Sequence, residues 1–245
     1  MNTYYVFDTP QELGAAVADN AYNIINDCIN KNGYARILLA TGASQFETFK
    51  NLRTKPIDWS KVEMFHLDEY IGIDSNHKAS FVKYLKERFI GDDIILKAVH
   101  FIDGMKDPLA QINDLTKEIR KAPIDLALIG IGENAHIAFN DPPADFDTEE
   151  AFIIVELDEA CKKQQVREEW FNTIDDVPKT AITMTPYQIM QSKIILSAVP
   201  HIQKADAVKA TLESPIINTV PSTILRNHAN WTLYLDTASA SKLKK

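Results

Sequence analysis

The sequence predicts a single-domain α/β protein, residues 1–245, with a mostly parallel central sheet and helices on both faces, Rossmann-like in type. Three observations carry the prediction. Short, nearly continuous apolar runs alternate with segments of helical pattern, the signature of parallel strands joined by helical crossovers. One such run, 124–129, opens directly into Gly130-Ile131-Gly132, a strand-to-turn transition of the kind at which α/β sheets place ligands. The 245 residues are 45% hydrophobic and 24% charged, enough apolar material for a full core.

The elements follow in chain order. Thr9-Pro10-Gln11-Glu12 is a capping box with proline at the first helical position, and its helix should run to about Lys31 and stop at Gly33. Residues 35–40 form a short apolar run, hence a buried strand. A helix is expected over 46–52, a strand over 62–67, a helix over 80–89, a short strand over 99–102 and a helix over 108–121. After the strand at 124–129, residues 153–157 read as a further strand and 160–171 as a polar helix. Asp175-Asp176-Val177-Pro178 is a turn. Strands are expected over 181–184, 194–199 and 231–235, with a helix over 204–213 between the last two. No internal repeat, low-complexity segment or linker divides the chain.

Charge and cysteine usage bound the function. The net charge is −8 and the pI about 5.3, which argues against nucleic acid as a partner, since that needs a basic footprint. An anionic small molecule is still admissible, because a helix N-terminus and one lysine can hold a phosphate locally. Cys28 and Cys161 are distant in sequence and fit no zinc spacing, as expected of free thiols in a reducing compartment. The N-terminus lacks a basic region followed by an apolar stretch, so it is not read as a signal peptide, and no run approaches membrane-spanning length. A cytoplasmic protein without a membrane partner is expected.

Four segments carry candidate chemistry. Thr41-Gly42-Ala43-Ser44 lies between a strand and a helix, where exposed backbone N–H groups and the helix dipole favour a phosphate. An ordinary turn with a capping serine uses the same residues. Asp68 and Glu69 end an apolar strand and supply carboxylates at the sheet edge, either as a base or as capping acids. His136 sits on the turn after the glycines, where an imidazole can shuttle protons near neutral pH. Lys204 opens a late helix, a position the dipole disfavours for a cation, which suggests service to a ligand. Two other patterns were weighed. Gly130-x-Gly132-x-x-Ala135 fits the dinucleotide fingerprint formally, but Pro142-Pro143 follows and no helix opens at the third small residue. The six histidines show no metal-ligand spacing.

In order and spacing these segments resemble the glucosamine-6-phosphate deaminase family. Residues 130–142, GIGENAHIAFNDP, are similar to that family's G-x-G-x-D-G-H-I-A-F-N-E-P loop. Leu39-Ala40-Thr41-Gly42-Ala43-Ser44 resembles its phosphate loop, Phe65-His66-Leu67-Asp68-Glu69-Tyr70 its N-x-D-E-Y segment, and His201-Ile202-Gln203-Lys204-Ala205 its late lysine segment. The likeness runs from about Ile37 to Asp236. It implies conversion of a hexosamine 6-phosphate, glucosamine 6-phosphate foremost, to a ketose 6-phosphate plus ammonia, without metal or cofactor. Asp68 would be the base moving a proton between C1 and C2, and Glu69 mainly structural. His136 would be the ring-opening group, assisted at Asn134 and Asp141. Thr41, Gly42, Ala43, Ser44 and Lys204 would hold the phosphate. The family also uses an arginine near position 167; Arg167 is either that residue, aligned to within one position, or a solvated helix residue.

The loop departs from the family at three places: Asn134 for Asp, Ala135 for Gly, Asp141 for Glu. Asn134 can orient the histidine by hydrogen bonding but adds no charge, and Asp141 is shorter by a methylene. The related 6-phosphogluconolactonases usually read G-H-T-A-S-L-F-P where this chain reads His136-Ile137-Ala138-Phe139-Asn140, which favours the deaminase side. A sugar-phosphate sensor without turnover is the rival of another class, weakened by the retention of both His136 and Asp68. The reading requires a small phosphosugar as partner, and a homo-oligomer is compatible with it.

Overall fold

The structure, a computed structural model, describes residues 3–244 apart from residue 168. In chain order its strands are β1 (Thr3–Phe7), β2 (Ala35–Leu39), β3 (Val62–His66), β4 (Asp68–Tyr70), β5 (Ala98–His100), β6 (Leu126–Leu128), β7 (Phe152–Glu156), β8 (Thr180–Met184), β9 (Ile194–Val199) and β10 (Trp231–Asp236). The helices are α1 (Pro10–Asn32), α2 (Phe46–Leu52), α3 (Phe81–Leu85, continued by a π turn over Lys86–Ile90), α4 (Pro108–Ile119), α5 (Glu159–Arg167), α6 (Pro186–Met190) and α7 (Ala205–Glu213). The first helix shows how locally such elements are specified. Thr9 accepts from the backbone N–H of Glu12 while the Glu12 carboxylate accepts from that of Thr9, and the helix ends at Gly33 with φ 81°.

Seven strands form one sheet in the order β1-β10-β9-β6-β2-β3-β5, and every pairing in it is parallel. Alternate residues of the central strands serve opposite faces. From β2, Ala35, Ile37 and Leu39 join Leu13, Val17 and Ile25 of α1 and Phe49 and Leu52 of α2 in one core. Leu38 and Ala40 face the other way, towards Leu115 and Ile119 of α4 and Ala207 and Val208 of α7. Each fully buried Leu, Ile or Val contributes roughly 1.5–3 kcal/mol, so the two apolar faces together fix helices on both sides. The expected α/β class is the observed one.

The strands at 153–157 and 181–184 do not extend that sheet. As β7 and β8 they form, with β4, a separate three-stranded antiparallel sheet in the order β4-β8-β7. The expected strand over 62–67 likewise differs: β3 stops at His66, and Asp68 begins β4 rather than ending β3. Asp-Glu-Tyr carries no apolar run by which a strand could be read. β1 and α6 also escaped the sequence pattern. β1 is an edge strand whose Tyr4, Tyr5 and Val6 are half exposed, so no buried face marks it.

One buried cation ties a helix end to the sheet. Arg36, on β2, is 2% exposed. Its guanidinium pairs with Glu63 at 3.0 Å and donates to the carbonyls of Glu118 and Ile119 in the last turn of α4 and of Ala122 just beyond it. Replacing it by an apolar side chain leaves Glu63 to His100 and takes the guanidinium donor from the carbonyls of Ile119 and Ala122. Arg36→Met is expected to cost about 3–5 kcal/mol, read as a lowered urea midpoint. A midpoint equal to wild type would show that Arg36 does not carry this load.

Candidate active site

Strand order reverses between β2 and β6: from β2 the chain proceeds outward to β3 and β5, then returns to the other side through β6, β9 and β10. At such a switch point the loops leaving the carboxyl ends diverge and open a crevice. A cavity of about 700 Å³ lies there, within the range of small-molecule sites. It is lined by Thr41–Ser44 after β2, Leu67 and Asp68 after β3, Gly130–Glu133, His136, Ala138 and Phe139 after β6, and His201, Gln203 and Lys204 after β9. α3 contributes Phe81 and Tyr84, and α5 and its continuation contribute Gln165, Arg167 and Trp170.

The turn after β2 depends on Gly42, whose φ of 97° and ψ of 170° suit glycine alone. Ala43–Gln45 then forms a single 3-10 turn leading into α2. Neither the turn nor α2 is capped by a side-chain hydrogen bond, so the reading of this segment as a serine-capped helix start does not apply.

After β6 the loop wraps around its own histidine. Gly132 donates to the carbonyl of His136 at 2.9 Å and accepts from the N–H of Ala135 at 3.0 Å. The His136 ring lies directly on Gly132: a Cβ added there would stand 2.2 Å from the ring Nε2. Behind the ring, His136 Nδ1 is 3.1 Å from Asp141 Oδ1, a close contact outside hydrogen-bond alignment. Asn134 donates to the same Asp141 oxygen at 2.9 Å and accepts from the backbone N–H of His136 at 3.2 Å. Asn134 therefore orients the loop and the carboxylate, and neither of these bonds reaches the imidazole ring. Neither Asn134 nor Asp141 lines the cavity. Burial pushes the Asp141 carboxyl up, but the His136 ring and the Asn134 amide outweigh it and hold the group below its ordinary value.

Asp68 is buried, 6% exposed, and its carboxyl is pushed well above the usual range by desolvation and then by the neighbouring Glu69. Glu69 points away from the cavity, as strand alternation requires. Lys204 closes the short turn 202–204 that leads into α7 and lines the cavity. Arg167 reaches the cavity from α5, with Nη2 2.7 Å from Glu133 Oε2. It is thus neither a purely solvated residue nor, in this structure, engaged with the Thr41–Ser44 turn.

All ten residues singled out from sequence are brought to this crevice or directly behind it. Those missed are aromatic or amide groups: Phe81 and Tyr84 on α3, Gln165 on α5, and Trp170 just past the end of α5, where the helix expected over 160–171 has already stopped. Phe81 and Tyr84 look like ordinary core positions of an amphipathic helix, and Gln165 and Trp170 lie in a polar segment without a pattern. Glu133 and His201 sat inside quoted motifs but carried no signal of their own. Among the described residues no group of three or more His, Cys, Asp or Glu could hold a metal ion. No helix among them is long and apolar enough to cross a membrane.

A parallel α/β sheet with a glycine turn, a carboxylate and a histidine converging on a cavity at its switch point has the layout of the α/β proteins that bind small molecules at that edge. Residues 8–234 match the sequence model of the glucosamine-6-phosphate isomerases/6-phosphogluconolactonase family, and the chain belongs to that family. A glucosamine-6-phosphate deaminase of Streptococcus suis is 36% identical over 214 residues, covering 86% of this chain and 89% of the relative. One from Lactobacillus delbrueckii subsp. bulgaricus is 34% identical over 240 residues, 98% of each chain. Among solved structures, a monomeric glucosamine-6-phosphate deaminase superposes with a TM-score of 0.86 at 28% identity, over 98% of this chain and 99% of that one. A putative 6-phosphogluconolactonase from Neisseria gonorrhoeae, at TM-score 0.76 and 18% identity over 96% and 98% of the two chains, shares the fold.

The contact of His136 with Gly132 is open to a direct test. Gly132→Ala should push the imidazole out of place and lower kcat/KM by roughly 10²-fold, the weight of one acid–base group, while the unfolding midpoint moves little. Full activity in the variant would show that ring placement there is not critical.

Proposed function

We propose that the protein converts a hexosamine 6-phosphate, glucosamine 6-phosphate foremost, into the ketose 6-phosphate and ammonia. The observation that carries the reading is the convergence on one cavity of the Thr41–Ser44 turn and Lys204 with His136 and Asp68, in a chain 34–36% identical to named deaminases.

The phosphate rests on the backbone N–H groups of Thr41–Ser44 and on Lys204, with Arg167 available from α5 once it exchanges Glu133 for the phosphate. His136 passes the O1 hydroxyl proton to the ring oxygen, and the C1–O5 bond breaks to give the open aldehyde. Asp141, held ionised, stabilises the transient imidazolium. Asp68 removes the C2 proton, giving an enolamine, and returns a proton to C1, leaving an imine at C2. Water adds to that carbon and ammonia departs, giving the ketone. Asp68 suits the step because its burial beside Glu69 makes it a stronger base than an exposed aspartate. Two free cysteines fit action in a reducing cytoplasm.

The lactonase reading is the weaker one, since the loop departs from that family's G-H-T-A-S-L-F-P and the lactonase structures share the fold at 15–18% identity.

Ammonia release from a panel of hexosamine 6-phosphates tests the whole assignment; binding without release in wild type would favour the sensor. Asp68→Asn should reduce kcat by at least about 10²-fold with substrate affinity largely kept, and a rate above about a tenth of wild type would remove Asp68 as the base. Asp68 must be ionised to act and its carboxyl is raised. Activity should therefore fall with decreasing pH along a limb lying above the ordinary aspartate value of about 4. Lys204→Ala should cost about 1.5–3 kcal/mol of phosphosugar affinity by calorimetry, with no effect on a sugar lacking phosphate. Equal loss for both sugars would refute the phosphate contact.

A further inference from the structure

The two chemical ends of the site leave the sheet at the same level. The pairing of β2 with β3 ends at Leu39 and His66, one or two residues before the Thr41–Ser44 turn and before Asp68. Beyond that point the strand ladder no longer holds the two segments in register, yet a substrate bound by its phosphate needs the base at a fixed span.

α3 is bonded to both. At its start, the Glu69 carboxylate, 2% exposed, accepts from the Ser80 hydroxyl at 2.7 Å and the Val82 N–H at 3.0 Å through one oxygen. The other oxygen accepts from the Tyr70 N–H at 3.0 Å. Glu69 thus holds the first turn of α3 against the strand that carries Asp68. One turn further on, the Tyr84 hydroxyl donates to the carbonyl of Gly42 at 2.8 Å. Its ring is fixed by Phe46 and Phe49, at centroid distances of 5.8 and 6.3 Å. The same carbonyl accepts from the Gln45 N–H at 3.1 Å, and Gly42 is the residue of the turn with the most backbone freedom for these bonds to restrict.

We propose that α3 is a brace setting the span between the phosphate turn and the base, with Glu69 and Tyr84 as its two positioning residues. The proposal rests on the reading of Thr41–Ser44 as the phosphate site and Asp68 as the base. Tyr84 acts through the Gly42 carbonyl, and Glu69 through α3, out of contact with the cavity.

The test is calorimetric titration of inorganic phosphate together with steady-state kinetics. Tyr84→Phe keeps the ring and removes the hydroxyl. It should weaken phosphate binding and raise KM by roughly threefold to tenfold, the worth of one hydrogen bond, with kcat close to wild type. Glu69→Gln keeps the shape but leaves one acceptor oxygen, so the bonds to α3 and the bond from the Tyr70 N–H can no longer all be made. It should weaken phosphate binding severalfold although Glu69 does not reach the ligand, a response that a role confined to Asp68 would not produce. In the double variant the losses should be less than additive, since both cut the same support. Unchanged phosphate affinity in a folded Glu69→Gln, or a Tyr84→Phe that lowers kcat and leaves KM alone, overturns the brace. Should Glu69→Gln not fold, Tyr84→Phe decides alone. Phosphate binding is read without turnover, so a wild type that binds phosphate but releases no ammonia fails the deaminase reading and leaves the brace to the phosphate titration.

Discussion

Parallel pairing across seven strands is the constraint from which the rest follows. A parallel sheet cannot be joined by hairpins, so each strand must be followed by a crossover, and the crossovers cover both faces. That demands apolar side chains on both sides of each central strand, which is why β2 and β6 are buried at every position. It also sends all carboxyl ends to one edge. Reversal of strand order between β2 and β6 then spreads two loops apart at that edge, and the cavity results from topology before any residue in it is chosen. Arg36 shows the cost of this arrangement, since a helix ending on a buried sheet edge needs a buried donor for its last carbonyls.

The electrostatics of the site are local and run against the protein's global charge of −8. Besides Glu133, which pairs with Arg167, three carboxylates lie close behind or within the cavity, and the surroundings treat each differently. Glu69 is satisfied by a helix start, Asp141 is held ionised by a histidine and an amide, and Asp68 is left with little but desolvation and a like charge. The pair of opposite shifts, Asp68 up and Asp141 down, fits the proposed division between a proton acceptor and a fixed counter-charge. Net charge describes none of this, because burial removes the screening that would make the three groups equivalent.

Most of the fold was legible because its elements are locally consistent. The capping box at Thr9, the glycine at 33 and the apolar runs at 35–40 and 194–199 each specify their element without help. What was not legible is what distant segments supply. β4 is three polar or aromatic residues that become a strand only because β8 pairs with them, and β1 is an exposed edge defined by β10. The candidate site divides the same way. His136, Asp141 and the glycines sit within one loop, and that loop could be read from its resemblance to the family's motif. The link between Arg167 and Glu133, residues 34 apart, and the grip of Tyr84 on Gly42 need the tertiary fold.

The substitution at 135 shows how the loop tolerates its departure from the family pattern. Ala135 has φ 66°, a left-handed conformation that costs a non-glycine residue on the order of 1–2 kcal/mol. Its methyl is not wasted on solvent: the residue is 4% exposed and sits in the core cluster with Ile131 and Ile137. A buried methyl returns about 0.8 kcal/mol, and an alanine loses less backbone freedom on folding than the glycine it stands for, by roughly 0.5–1 kcal/mol. The three effects nearly cancel, so alanine at this turn is close to neutral for stability. The conformation itself is imposed by the bonds Ala135 N–H to Gly132 and Gly132 N–H to His136, which must close for the imidazole to lie against Gly132. The strain therefore persists because the loop's own hydrogen bonds, rather than the residue at 135, determine where His136 stands.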